Sequence, residues 1–205
     1  MSQRKYLTQS EVERLLQQAL VGRNAERDYC LVYMSFIHGF RVSEACNLRL
    51  SDLDLRGGCL YIRRIKSGFS TNHPLLKDEL RAIRAWLSVR ASLRGADSDW
   101  LFLSRQGSSL TRQRVYQIIS QLGREADISV DPHPHMLRHA CGFALADRGI
   151  DTRLIQDYLG HKNIRHTVRY TASNAERFEG VWFRSKNKRK GSQLGPKCKA
   201  VYVKR

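Results

Sequence analysis

Apolar residues recurring at helical intervals run through most of the first 183 residues, and a short stretch after Gly57-Gly58 breaks that rhythm. Thr8-Gln9-Ser10-Glu11 has the form of a capping box, and Val12, Leu15, Leu16 and Leu20 follow at helical spacing, so a helix is predicted from about residue 9. Residues 25–38, with Tyr29, Leu31, Val32, Met34, Phe36 and Ile37, are apolar on every side and predict a buried helix ended by Gly39. Ser43 to Leu50 reads as a short helix broken by Ser51, Asp52 and Asp54. Cys59-Leu60-Tyr61-Ile62 alternates, and Lys66-Ser67-Gly68-Phe69-Ser70 separates it from a second run, Thr71 to Leu75. Together they predict a small β-hairpin with basic residues at its turn. Helices resume over 77–93, 111–126, 135–149 and 151–159, with Thr111 and Asp151 as caps, and Asp131-Pro132-His133-Pro134 forms a fixed loop before the third of these. The expected fold is mainly α with a small antiparallel β-sheet, an α+β arrangement.

Charge narrows the partners. The chain carries 36 Lys and Arg against 19 Asp and Glu, a net charge of +17, which points to a polyanion such as nucleic acid. Residues 184–205 contain only basic charge, so they are expected to form a flexible cationic tail, with Lys186, Lys188, Arg189 and Lys190 as candidate DNA contacts. Residues 1–183 remain basic without it. No apolar stretch approaches the ~20 residues of a membrane span, and the amino terminus lacks the apolar core of a secretory signal. The chain is therefore expected in the cytoplasm with no membrane partner. Five cysteines without a Cys-x-x-Cys pair argue for reduced, mostly buried thiols.

Four places concentrate polar side chains that a core would not need: Arg41 and Glu44 at the entry to the third helix; Lys66 at the hairpin; His135, Arg138 and His139 on one helix; and His161, nine residues before Tyr170. Singly each is ordinary. Arg41 could be a helix-end ion pair with Glu44, and Tyr170 a half-buried core residue. His135 and His139 stand four apart as zinc ligands do, with His161 and His166 as further candidates, but Arg138 between them repels a cation. Jointly they suit one reaction. Two guanidiniums can clamp the oxygens of a phosphodiester under attack, a phenol can be the nucleophile, and His and Lys can move the protons.

The ordered set Gly39-x-Arg41-Val42-Ser43-Glu44, Lys66, His135-x-x-Arg138-His139, Leu159-Gly160-His161 and Tyr170 resembles the tyrosine recombinases, the phage-integrase-like family, over roughly residues 8–175. The resemblance implies a catalytic domain over 1–183, Tyr170 as the nucleophile forming a 3′-phosphotyrosyl link, and Arg41 and Arg138 as transition-state arginines. It further implies His135 handling the tyrosine proton, Lys66 protonating the departing 5′-oxygen, His161 hydrogen-bonding the phosphate, and Glu44 and His139 as supports. No metal, nucleotide or other cofactor is implied. Typical members carry a separate DNA-binding domain ahead of the catalytic one, and Arg41 comes too early here to leave room for it. The chain resembles the short subgroup of bacterial recombinases that invert a promoter segment controlling fimbrial genes. The partners implied are duplex DNA with short inverted repeats, three further protomers in a homotetramer on two sites, and accessory DNA-bending proteins. Transposon or phage integration and resolution use the same residues. A non-catalytic DNA-binding regulator explains the charge, but not the interval from His161 to Tyr170.

Overall fold

The computed structural model describes residues 4–64 and 70–172. Helices α1 (Gln9–Ala19) and α2 (Ala25–Ile37) open the chain, followed by a short α3 (Val42–Cys46), a 3₁₀ turn over Leu50–Asp52, and strands β1 (Leu53–Asp54), β2 (Cys59–Ile62) and β3 (Thr71–Pro74). Then come α4 (Lys77–Arg90), α5 (Arg112–Glu125), α6 (Pro134–Asp147), α7 (Thr152–Leu159) and α8 (Arg165–Ala172). The three strands form one antiparallel sheet in the order β1-β2-β3, with Leu60 opposite both Leu53 and His73. The mainly helical fold with a small antiparallel sheet is as expected.

Local chemistry explains the boundaries. Thr8 caps α1 with its hydroxyl while the Glu11 carboxylate accepts from the Thr8 backbone N–H, two orphan donors satisfied reciprocally. Thr111 and Asp151 cap α5 and α7 with their side chains, each accepting from backbone N–H groups of the first turn. Helix α2 is buried on nearly every side, with Cys30, Leu31, Val32, Tyr33 and Met34 all enclosed, and it packs against α1, α4 and α6 at the centre of the molecule. Trp86 of α4 is buried beside it and donates its indole N–H to the Leu101 carbonyl at 2.9 Å. Truncating such a side chain costs about 3–5 kcal/mol.

Five expectations are revised. The helix predicted over 43–50 stops at Cys46, because Arg49 and Leu50 turn outward to meet the 99–100 segment, where Leu50 N–H donates to the Asp99 carbonyl. Asp54, read as a breaker, joins Leu53 in an edge strand that extends the hairpin into a sheet. Helix α4 ends at Arg90 instead of 93; the Arg90 guanidinium donates to the carbonyls of Ala96, Ser98 and Trp100 and ties down the following loop. Pro134 belongs to α6, at a first-turn position where a missing N–H costs nothing. Helix α8 was not anticipated, since its polar face masks the Thr167, Tyr170 and Thr171 positions that are buried. Of the cysteines described, Cys30, Cys46 and Cys141 are buried and Cys59 is exposed, all as free thiols. Among the described residues no helix is long and apolar enough to cross a membrane.

Candidate active site

Helices α3, α6, α7 and α8 meet where α2 ends, and the polar residues collect there. Three consecutive carbonyls at the carboxyl end of α7 each accept from a different arginine. Tyr158 O takes Arg64 Nη2 at 2.6 Å, Leu159 O takes Arg138 Nη2 at 2.6 Å, and Gly160 O takes Arg41 Nη2 at 3.0 Å. A helix ends with unpaired carbonyls and a partial negative charge, so this is a site made for cations. Gly160 makes the arrangement possible. Its φ of 64° ends α7 in the left-handed region, and a Cβ there would lie 2.8 Å from Arg64 Nε.

The same three guanidiniums surround one buried carboxylate. Glu44 Oε1 accepts from Arg41 Nη1 at 2.8 Å, and Oε2 accepts from Arg64 Nη1 at 2.7 Å and from the Arg41 backbone N–H at 2.9 Å. Arg138 Nη1 lies 3.9 Å from Oε2 and donates to Gly39 O at 2.5 Å. Arg138 is 1% exposed. Burial, and next the charge of Arg41, push its guanidinium down to about 10, while Glu44 pulls the other way; it remains a cation at neutral pH. Three cations against one anion leave the cluster positive, and Arg41, with a quarter of its side chain exposed, is where that excess meets solvent.

Tyr170 of α8 is 1% exposed. Its hydroxyl lies 2.8 Å from Nδ1 of His139, and its ring packs edge-on to Phe143 and stacks with His161 at 6.2 Å. Helix α6 admits that ring only because residue 142 is glycine: a Cβ on Gly142 would sit 2.5 Å from the Tyr170 ring. Burial raises the phenol above its usual range, against the pull of Arg138 and Arg169. At neutral pH it is protonated and needs a base to become a nucleophile. His139 suits that task in part. Burial first, then His135 and the nearby arginines, hold it down at about 3, so it is neutral, and in the tautomer that carries its hydrogen on Nε2 its Nδ1 accepts the phenolic hydrogen bond. His135, on the rim of the site, is exposed and stands edge-on to His139 with ring centroids 4.4 Å apart. His161, held down at about 3 by burial and by Arg138 and Arg41, shares a hydrogen bond with Thr167 Oγ1 at 2.9 Å.

The structure therefore brings together Arg41, Glu44, His135, Arg138, His139, His161 and Tyr170. Lys66 and the tail residues Lys186, Lys188, Arg189 and Lys190 lie outside the described residues. Arg64 was not singled out from the sequence, although a signal existed. Leu60 and Ile62 occupy the buried phase of β2, and continuing that alternation puts Arg64 on the same face, where an arginine demands a carboxylate. Also unforeseen is a buried polar chain behind the site: Glu79 Oε1 and His38 Nε2 at 2.5 Å, His38 Nδ1 and His73 Nδ1 at 3.1 Å, and His73 Nε2 and Thr71 Oγ1 at 3.0 Å. Among the described residues, no three His, Cys, Asp or Glu side chains are grouped to hold a metal ion.

Comparison with known proteins agrees with this geometry. The chain is 59% identical to the type 1 fimbriae regulatory protein FimB of Escherichia coli K12 over 191 residues, covering 93% of this chain and 96% of that protein. It is 56% identical to the type 1 fimbriae regulatory protein FimE of the same strain, over 90% of this chain and 94% of that one. The crystal structure of XerA recombinase superposes with a TM-score of 0.75 at 29% identity, covering 89% of this chain and 66% of that one. The XerH site-specific recombinase in its post-cleavage complex with palindromic difH substrate gives 0.73 at 25% identity, covering 86% and 53%. The model of the phage integrase family matches residues 5–177, and with the arginine cluster, the histidines and the enclosed tyrosine in one place, the chain belongs to the phage integrase family.

Proposed function

We propose that this chain is a site-specific DNA recombinase that cuts and rejoins strands through Tyr170 and inverts a DNA segment controlling fimbrial gene expression. The observation that carries the chemistry is the convergence of a buried phenol on a neutral imidazole acceptor beside a cluster with excess positive charge. Arg41 and Arg138 hold the non-bridging oxygens of the scissile phosphate and stabilise the charge that develops on them. Tyr170 passes its proton to His139 or His135 and attacks phosphorus. The bond to the 5′-oxygen breaks, leaving a 3′-phosphotyrosine and a 5′-hydroxyl protonated by Lys66. His161 donates to a phosphate oxygen. Glu44 and Arg64 fix the guanidiniums that touch the phosphate. Attack by a partner strand's 5′-hydroxyl reverses the step and conserves the bond energy, with no cofactor required.

Because Tyr170 is enclosed in the free protein, attack requires α8 to move relative to α6. The fimbrial assignment rests on FimB and FimE, each matched along nearly its full length and named a type 1 fimbriae regulatory protein. Four protomers on two inverted repeats complete an exchange, aided by DNA-bending proteins and by contacts from the basic tail. On a nicked duplex carrying the site, the wild-type chain should become covalently attached to DNA, and Tyr170→Phe should bind without attachment. Persistent adduct in Tyr170→Phe refutes the assignment.

A further inference from the structure

A second basic cleft, apart from the arginine cluster, has an arginine that is unfinished. Arg27 of α2 is 5% exposed, and its Nε donates to Asp28 Oδ1 at 2.8 Å, yet its buried Nη2 has no hydrogen-bond partner. A buried guanidinium N–H left without an acceptor is costly, so it implies an acceptor supplied from outside. The space beside it is a cleft of about 380 Å³ lined by Arg27, Ser104, Arg105, Gln106, Leu110 and Arg114. Every polar side chain in that lining can donate a hydrogen bond, and three are cations. The carboxylate of Asp28 is already committed to Arg27 and lies near Arg114. The local balance is positive, and the amino-terminal end of α5, capped by Thr111, adds its partial positive charge at the cleft edge.

We infer that this cleft is a second phosphate-binding site, in which Arg27 Nη2, Arg105 and Arg114 hold one phosphoryl oxyanion remote from the one that is cut. A backbone phosphate of duplex DNA is the favoured source. The first two turns of α5 form a wall shared by two clefts: Arg112, Gln113, Tyr116 and Gln117 face the space that includes His133 and His135, while Arg114 faces the cleft of Arg27. A duplex laid against the reacting centre therefore crosses α5 and presents its backbone to both. Such a contact positions DNA without reading its sequence.

The test reads binding alone, so the Tyr170 assignment could fail without affecting it. Sodium phosphate, compared with sodium chloride at matched ionic strength, should raise the melting temperature of the wild-type chain and raise that of Arg27→Gln much less. Arg105→Gln/Arg114→Gln, a double change at two exposed positions that should fold normally, repeats the measurement should Arg27→Gln fail to fold. Titration of a labelled duplex across a range of salt should show the double variant with a slope of log Kd on log salt shallower by about 1. A phosphate response lost in the variants with an unchanged DNA slope upholds the site and assigns it to a free phosphoryl ligand instead of DNA. Equal phosphate responses in wild type and variants, with equal slopes, overturn the inference.

Discussion

Two buried glutamates flank the segment that joins α2 to α3, and they are finished in opposite ways. Glu44 sits among Arg41, Arg64 and Arg138 and leaves positive charge over. Glu79 meets His38, which meets His73, which meets Thr71, and in that chain every imidazole nitrogen has a neighbour to donate to or accept from. Both glutamates also satisfy a backbone N–H at the start of a helix, Arg41 for one and Leu76 for the other. The first centre holds more cations than its one carboxylate can neutralise, whereas in the second each imidazole nitrogen has a partner. Low surrounding dielectric makes an unsatisfied polar group costly, and in the first centre the buried Arg64 Nε has no hydrogen-bond partner, so that centre carries a cost the second does not.

The sharpest way to break this contrast is to remove each carboxylate. Glu44→Ala strands three guanidiniums, two of them fully buried, and should lower unfolding stability by about 3–5 kcal/mol in urea titration, with loss of strand cleavage. A drop no larger than that of an ordinary surface change would mean that the α7 carbonyls alone hold the arginines. Next in size, Arg138→Ala should reduce cleavage of a suicide duplex by about 10²–10³ while leaving much of the DNA binding intact. Binding lost in step with cleavage would make Arg138 a grip instead of a transition-state group.

Glu79→Gln should have a smaller effect, about 1–3 kcal/mol of stability with DNA cleavage by the folded fraction little altered, because the histidine chain is buried and supports the backbone. Cleavage falling by orders of magnitude would erase the distinction between the two centres. The mildest test uses acid. Burial, and next the charge of His38, hold His73 down at about 3 from its ordinary 6.5, so between those values the unfolded chain takes up a proton that the folded chain refuses. Its contribution is therefore intact above 6.5 and shrinks as pH falls toward 3. His139 and His161, held down at about 3, act in the same direction. Denaturation at a series of pH values should show stability falling over that window, and His73→Asn should flatten the slope in part. A variant with an unchanged slope would put the burden on the other two histidines.

Much of this was legible in the residues. The capping box at Thr8, the apolar α2, the Thr111 and Asp151 caps and the stop at Gly160 follow from side-chain chemistry and backbone sterics within a few residues, which is the range over which a sequence speaks plainly. The candidate set could be picked out because its side chains are chemically distinctive and ordered along the chain. The partners that hold them were not. Tyr158, Leu159 and Gly160 contribute carbonyl oxygens, which every residue has, so nothing in their side chains marks them. The pairing of His38 with His73 and Glu79 joins residues 35 and 41 positions apart and appears only once β3 and α4 are docked on α2. Placing the tyrosine hydroxyl on His139 likewise required knowing how α8 crosses α6 at Gly142.

The end of α7 has a mechanical consequence. Arg64, Arg138 and Arg41 come from the segment after β2, a helix and a loop, yet each is tethered to one of three neighbouring peptide units. A displacement of that short stretch acts on all three tethers together, so the three guanidiniums are positioned as a unit. Helix α8 follows only a few residues later, on the far side of His161. The segment that carries Tyr170 is thus joined, through a handful of residues, to the peptide units that hold the three arginines.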